Sequence, residues 1–469
     1  MTTPQPEGPD PNAIASWPDG LLLSYYGDDF TGSTDVMEAF TAAGVPTVLF
    51  LSPPRPEDLN RFKQMRCVGV AGLSRSQSPA WMQQHLPEAF ESLAALKAPI
   101  LQYKVCSTFD SSPTAGSIGQ AVDLGVKCAK ENWSPMIVGA PRLQRYQVFG
   151  NLFAAAVGEV YRIDRHPTMS RHPVTPMDEA DLRLHLGKQT ERQIGLIDIA
   201  QIAAGTAQQR LDSLRSDARP VVMVDVADAS TQQEAGRLVW ENRGQGLFSA
   251  SSSGLQYALA AYWRSLGLLP AQPSLPATSK TDCIAVASGS CSPMSAAQID
   301  WARDNGFHTA RLDIASCLDA VRWATEVERH VRNAVAQLLR GVSPVIYSAQ
   351  GPDDPAVTEF DATAKAAGFT REQAARKIGE TLAEIMRQIL DRSPVTRIVV
   401  AGGDSSGAVA SHLGITALTV ASALAPGAPL CRAWSRHKKR DGLEIVLKGG
   451  QLGAVSFYGT VRDGVSDSS

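Results

Sequence analysis

Tyr26-Gly27-Asp28-Asp29-Phe30-Thr31-Gly32-Ser33-Thr34-Asp35 closes an apolar run over residues 21–26 and leads into a helix-forming segment over 36–43. Strand, tight polar turn, helix is one βα unit. In open α/β sheets ligands bind at the C-terminal edge of the strands, so an acidic, glycine-containing turn there is a candidate site. Two adjacent carboxylates can bind a metal or activate a hydroxyl. An Asp in the same place can equally cap the helix that follows. The turn alone leaves both readings open.

Working outward, the unit repeats. Apolar, β-rich runs fall at 46–51, 67–71, 100–105, 136–138, 195–198 and 221–226, with helical patterns over 81–96, 116–130, 178–189 and 230–242. Strands with little alternation, separated by amphipathic helices, predict parallel sheets covered on both faces. The rhythm stops after Trp263, and residues 267–282 hold three prolines and no periodicity, as a linker would. It then restarts with strands at 283–287, 309–312, 344–348, 396–401 and 443–448 and helices over 295–305, 327–339, 371–390 and 408–413. The expected fold class is α/β: two domains, each a mostly parallel sheet flanked by helices, with the active site in the interdomain cleft. The expected boundaries are a disordered tail over 1–19, a first domain over 20–266, the linker, a second domain over 283–460 and a C-terminal tail over 461–469.

Length and composition agree with that division. A chain of 469 residues is too long for one core, and its 44% hydrophobic and 19% charged content is ordinary for a globular protein. A net charge of −3 gives no footprint for nucleic acid or an anionic membrane. No apolar stretch approaches the roughly 20 residues of a membrane-spanning helix. The first 19 residues are polar and proline-rich, with neither the basic start nor the apolar centre of a secretory signal. Seven dispersed cysteines without a C-x-x-C pair point to reduced thiols in the cytoplasm, not to disulfides or structural zinc.

The second half carries glycine-rich turns after strands. Ile398-Val-Val-Ala-Gly402-Gly403-Asp404-Ser405-Ser406-Gly407-Ala408 matches neither Walker A nor G-x-G-x-x-G, yet its glycines and the free N–H groups of a helix start suit a phosphate. A plain tight turn is the alternative. Ala287-Ser288-Gly289-Ser290-Cys291-Ser292 and Lys448-Gly449-Gly450-Gln451-Leu452-Gly453 repeat the theme. Three such turns in one small domain can converge on a polyanion such as a nucleotide.

Polar strand ends in the first half differ in kind. Lys104-Val-Cys-Ser107-Thr108-Phe-Asp110-Ser111 and Gly72-Leu-Ser74-Arg75-Ser76 set cations beside hydroxyls, which suits a small hydroxylated acid; ordinary solvated loops are the alternative. Two Arg-His-Pro triplets, Arg165–Pro167 and Arg171–Pro173, sit on a proline-stiffened segment that cannot place both histidines on one helix face. That segment reads either as a loop presenting Arg and His to an anion or as a structural loop. The basic run Arg436–Arg440 reads as a solvated loop.

These pieces, in this order, resemble the four-carbon acid sugar kinase family, long carried as a domain of unknown function. The resemblance rests on Asp28 to Asp35, Ser74 to Ser76, Lys104 to Ser111, His172 to Met177, Ser288 to Ser292, Gly402 to Gly407, Ala425 to Gly427 and Leu447 to Gly450. It implies a substrate domain and an ATP-binding domain facing across a cleft, and ATP-dependent phosphorylation of a hydroxyl on a short acid such as threonate, erythronate or a 3-oxo-tetronate. By position, Asp29, Arg75, Lys104, Ser107, Thr108 and Asp110 would contact substrate. Ser292, Gly402, Gly403, Asp404, Ser405 and Gly450 would contact ATP. Departures are Ser405 where relatives commonly have Thr, Gly449-Gly450-Gln451 for Ser-Gly-Asn, and Ser251-Ser-Ser-Gly254 for a glycine-rich run.

Phosphoryl transfer asks the protein for positioning and charge neutralisation. Mg²⁺ would bridge the ATP phosphates; protein ligands for it are not assigned. Asp29 is the favoured proton acceptor, with Asp28 as the alternative, and Arg75 and Lys104 would hold the substrate carboxylate. Residues 267–282 would be the hinge. The expected partners are a small sugar acid and ATP, with no nucleic acid and no membrane, and a homodimer is compatible with the chain. The rival functions are a non-catalytic metabolite sensor and an ATP-dependent carboxylate ligase.

Overall fold

The structure, a computed structural model, describes residues 17–464 apart from 157, 173 and 272–274, so most of the expected N-terminal tail and the end of the expected C-terminal tail lie outside the described residues. In chain order the strands are β1 Leu23–Gly27, β2 Thr47–Phe50, β3 Cys67–Ala71, β4 Ile100–Lys104, β5 Ser134–Met136, β6 Arg145–Val148, β7 Asn151–Ala156, β8 Glu159–Arg162, β9 Ile194–Ile197, β10 Val221–Val224, β11 Leu247–Ser251, β12 Ala285–Ser288, β13 His308–Arg311, β14 Pro344–Tyr347, β15 Arg397–Ala401, β16 Ile415–Ala425, β17 Ala428–Ser435 and β18 Glu444–Lys448.

Twelve of them form one sheet, in the order β11-β4-β1-β3-β2-β16-β17-β18-β15-β12-β14-β13. Each flank is parallel, and its central strands are buried along their whole length, as continuous apolar runs require. The flanks are joined by an antiparallel ribbon: β16 pairs with β17, and Ala417 and Leu418 of β16 face Phe50 and Leu49 of β2. The sequence pattern predicts one mostly parallel sheet in each domain and does not show that this ribbon joins them. β16 and β17 escape a search for unbroken apolar runs because Thr416, Thr419 and Ser422 interrupt the first and Pro429 and Arg432 the second.

The first half also holds a small parallel sheet, β5-β10-β9, and an antiparallel meander, β6-β7-β8. The small sheet backs onto β11 through Ile137 N–H donating to Ser251 Oγ at 2.8 Å and Ser249 Oγ donating to the Pro135 carbonyl at 3.0 Å.

The helix Phe30–Ala43 buries Val36, Met37 and Phe40 completely, and Phe40 packs against Trp263. Trp17 packs edge-on against Trp263 with centroids 5.2 Å apart, so fixed structure begins before the boundary expected at residue 20. At the other end a helix spans Phe457–Asp463, and the boundary expected at 460 falls inside it. The latter part of the expected linker is docked. Thr278 Oγ1 donates to the Ala423 carbonyl at 3.0 Å, and buried Arg397 donates to the Ser279 and Val461 carbonyls at 2.7 and 2.8 Å.

Candidate active site

Asp28 and Asp29 leave the C-terminal end of β1 between the ends of β3 and β4. Asp28 N–H donates to the Lys104 carbonyl at 3.0 Å, and Arg75 N–H donates to the Asp28 carbonyl at 2.9 Å. Asp29 is the N-cap of Phe30–Ala43, its Oδ1 accepting from Gly32 N–H at 2.8 Å. The capping reading is therefore realised by Asp29 itself.

Arg75 ties both carboxylates together. Its Nε and Nη2 donate to Asp28 at 3.1 and 2.8 Å, and its Nη1 donates to Asp29 Oδ2 at 2.8 Å. The fork expected to hold a ligand carboxylate is thus engaged by the protein's own carboxylates. Asp28 is 4% exposed; burial, followed by the charge of Asp29, pushes its carboxyl up against the pull of Arg75. Asp29 is the more accessible of the two, with 29% of its side chain exposed against 6% for Asp28.

Lys104 ends β4 with its side chain buried and its ammonium 3.8 Å from Asp35. Gly32 lets these groups meet: a Cβ there would lie 2.5 Å from Asp29 Oδ1, 3.0 Å from Lys104 Nζ and 3.4 Å from Arg75 Nη2. Beyond Lys104 the chain makes a tight polar turn, in which Thr108 Oγ1 donates to Asp110 Oδ1 at 2.6 Å and sits 2.9 Å from Cys106 Sγ. Burial and Asp110 push the Cys106 thiol up to about 11. Buried Phe109 holds a φ of 59°, a strained conformation for a large side chain. Ser107 is half-buried in the same turn.

On the other flank the turns after β12, β15 and β18 converge. Gly402, at φ 114°, is the N-cap of Gly403–His412, where any side chain would be strained. A Cβ on Gly402 would lie 3.3 Å from Ser290 N, and one on Gly289 would strike Ser405 Oγ. Ser292 caps Pro293–Asp304 by accepting from Ser295 N–H at 3.0 Å, while its hydroxyl donates to the Gly450 carbonyl at 2.7 Å. The Asp404 side chain lies outside what the structure describes.

The two sets of turns face each other. A Cβ on Gly403 would lie 3.8 Å from Thr31 Oγ1, one on Gly449 would lie 3.9 Å from Thr31 Cγ2, and one on Gly407 would lie 3.9 Å from Phe30. Carboxylates and cations of one flank therefore stand at the mouth of a backbone-and-hydroxyl cradle on the other. Helix starts of this kind receive anions.

Comparison with known proteins agrees with this division. Residues 23–259 match the sugar-binding N-terminal domain model, and residues 285–458 match the nucleotide-binding C-terminal domain model. The chain is 64% identical over 453 residues to a Paraburkholderia graminis protein named 3-oxo-isoapionate kinase, covering 97% of this chain and 96% of the relative. It is 31% identical to a Methylobacterium radiotolerans 3-oxo-tetronate kinase, over 94% of this chain and 99% of the relative.

The chain belongs to the four-carbon acid sugar kinase family.

As a member it is a sugar-acid kinase, and as a kinase it uses ATP. The crystal structure of a Haemophilus influenzae protein shares its fold, with 25% identity and a TM-score of 0.73 over 93% of this kinase and 98% of that chain. No helix among the described residues is long and apolar enough to cross a membrane.

Other candidates in the kinase resolve differently. His166 Nδ1 accepts from the N–H groups of Thr168 and Met169 at 3.2 Å, and His172 Nδ1 accepts from Thr175 N–H at 3.1 Å, so both histidines staple their own loop. The basic run is pinned: Arg436 pairs with Asp58 at 2.8 Å and Arg440 with Asp391 at 2.7 Å. Two polar residues at the cleft were not singled out from sequence. Glu38 accepts from Gly427 N–H, in the β16–β17 turn, at 2.7 Å, and burial raises its carboxyl to about 7. Lys448 is completely buried, and burial brings its ammonium down to about 8. A lysine among glycines was the available signal for Lys448; no local signal marks Glu38.

Proposed function

We propose that this kinase transfers the γ-phosphoryl group of ATP to a hydroxyl of a short 3-oxo sugar acid, and that the branched acid 3-oxo-isoapionate is its preferred substrate. The observation that carries the substrate choice is the 64% identity over 97% of the chain to the relative of that name, against 31% to the 3-oxo-tetronate kinase. In this reading residues 20–266 bind the sugar acid and residues 283–460 bind ATP. Unpaired cysteines throughout the chain favour a cytoplasmic setting.

Asp29 accepts the proton of the attacking hydroxyl. The new bond forms between that oxygen and the γ-phosphorus, the bond to the β–γ bridging oxygen breaks, and ADP departs. Asp29 is favoured over Asp28 because it is less buried and because Asp28 is gripped from two sides by Arg75. Arg75 then holds the acidic pair in place and, with Lys104, adds positive charge where the substrate carboxylate sits. Ser107, Thr108 and Asp110 orient its hydroxyls. Ser292, Gly402, Gly403, Asp404, Ser405 and Gly450 line the ATP phosphates.

Mg²⁺ would neutralise charge between those phosphates. Among the described residues no three carboxylate, histidine or cysteine side chains form a cage, and Mg²⁺ needs only one or two carboxylates where phosphates complete its shell.

The test is ADP release across a panel of 3-oxo-isoapionate, 3-oxo-tetronates, threonate and erythronate, with the product identified by phosphorus NMR. The expected result is the highest kcat/KM on 3-oxo-isoapionate, giving a phosphomonoester. A higher value on a tetronate overturns the substrate choice. An acyl product with AMP or phosphate would make the protein a ligase, and no turnover on any acid would favour a sensor.

A further inference from the structure

Four lysine or arginine side chains are buried among the described residues: Lys104, Arg397, Arg440 and Lys448. The first three have carboxylate partners, Asp35, Glu444 and Asp391. Lys448 has none, since the ion pairs that lysines form among the described residues are those of Lys104, Lys188 and Lys377. Its one side-chain hydrogen bond among the described residues is to the Gly450 carbonyl at 3.5 Å, and its ammonium lies 5.8 Å from the centroid of the Phe457 ring. Burying a charge without a counter-charge is costly, and folds avoid it unless a ligand supplies one.

Its position says which ligand. Lys448 ends β18 in register with Ala401, the residue before the Gly402 turn, and Gly402 N–H donates to the Lys448 carbonyl at 2.9 Å. The Gly450 carbonyl it approaches also accepts from Ser292 Oγ at 2.7 Å and Ser295 Oγ at 3.0 Å. Because the peptide is planar and trans, a carbonyl held on that side turns the Gln451 N–H to the other.

We propose that Lys448 is a positioning residue of the nucleotide site: with Ser292 and Ser295 it fixes the Gly450 peptide for polyphosphate binding, and the bound nucleotide supplies the counter-charge that the described residues lack. This rests on the reading of the second half as the ATP-binding half.

A consequence is linkage between nucleotide and proton. Free Lys448 titrates near 8 because it is buried, and a bound polyanion raises that value. Binding therefore takes up a proton in mildly alkaline solution, and affinity falls as pH rises through that range. The described side chains beside the ammonium and the Gly450 peptide do not titrate there. Ser292, Ser295 and Phe457 are neutral, and the phenol of Tyr458, beside Phe457, is raised by burial well above its ordinary value. Nucleotide phosphates, with a second pKa of about 6, are already ionised.

The experiment is calorimetric titration of ADP into the full chain near pH 7 and near pH 9, in buffers of different ionisation heat, for wild type, Lys448→Met and Lys448→Arg, with KM measured for both substrates. Wild type should bind several-fold more weakly at the higher pH and take up a proton. Lys448→Met should bind ADP about tenfold or more weakly near neutral pH, the scale of one lost charge-assisted hydrogen bond. It should show no proton uptake and raise the KM for ATP, not that for the sugar acid. Lys448→Arg should keep much of the affinity and lose the pH dependence. A Lys448→Met chain with wild-type affinity and pH profile overturns the proposal, as does a wild type whose affinity is flat across this range, a result that stands even if the Met variant fails to fold. A wild type that binds no ADP at all overturns the ATP-site reading and this proposal with it.

Discussion

A Cβ placed on Gly32 would meet Asp29, Lys104 and Arg75 within 3.4 Å, whereas one placed on Gly450 would meet only the hydroxyl side chains of Ser290 and Ser292 within 3.2 Å. Both glycines exist because something must come close, but what comes close differs. The first flank packs opposite charges against one another, with Arg75 shared by Asp28 and Asp29 and Lys104 beside Asp35. Among its described residues the second flank offers backbone N–H groups, serine hydroxyls and one buried cation without a counter-charge. In the proposed reaction the side of paired charges orients a small acid and takes its proton, and the glycine-rich side receives a polyanion.

The sharpest way to break this contrast is Asp29→Asn. Asn caps a helix about as well as Asp, so the fold and ADP binding should survive while kcat falls by roughly 10² to 10⁴, the range of a lost general base. Steady-state kinetics beside ADP titration checks it, and a wild-type kcat removes Asp29 from the mechanism. Next is Arg75→Met, which leaves buried Asp28 without its partner. Denaturant unfolding should show a loss of about 3 kcal/mol at neutral pH, the scale for breaking a buried pair. Asp28 already titrates above the usual carboxylate range, and higher still without Arg75, so the loss should shrink as pH falls and the carboxyl is protonated.

On the glycine-rich side, Gly403→Leu should raise the KM for ATP about tenfold or more by crowding the cradle against Thr31. Gly403→Ala should be near wild type, because its Cβ would sit 3.8 Å from Thr31 Oγ1 in ordinary contact. Equal effects of the two substitutions would argue that the cradle is not tight. The smallest effect concerns the seam between the flanks. Burial raises Glu38 from the ordinary 4.5 to about 7, so the fold favours its neutral form. That contribution is complete below the unfolded value and is lost as pH rises through the folded one. Glu38→Gln cannot ionise and keeps an acceptor for Gly427 N–H. It should gain on the order of 1 kcal/mol over wild type at mildly alkaline pH and nothing in acid, as read from melting temperatures.

Much of the molecule is legible in the sequence. Strands with unbroken apolar runs, such as 67–71 and 396–401, were expected within a residue of where they stand, at Cys67–Ala71 and Arg397–Ala401. The acidic turn and the glycine turns were visible because each is a contiguous run at a strand end. What escaped was non-local. β16 is interrupted by Thr416, Thr419 and Ser422, and it becomes the bridge between flanks only because β2, hundreds of residues earlier, offers it an edge. Arg75 was seen as a free cation because nothing near it in sequence shows that Asp28 and Asp29 already hold it.

Residue order alone settled the βα rhythm, the two halves, and the presence of carboxylates on one side and glycine-rich turns on the other. These follow from periodicity and backbone freedom over a few neighbouring residues. The tertiary structure decided which aspartate caps and stays accessible, where Arg75 spends its hydrogen bonds, that one sheet runs through both halves, and that Lys448 is buried with no counter-charge among the described residues. Burial and pairing depend on what the distant parts of the chain bring alongside, and that is written only in the packed fold.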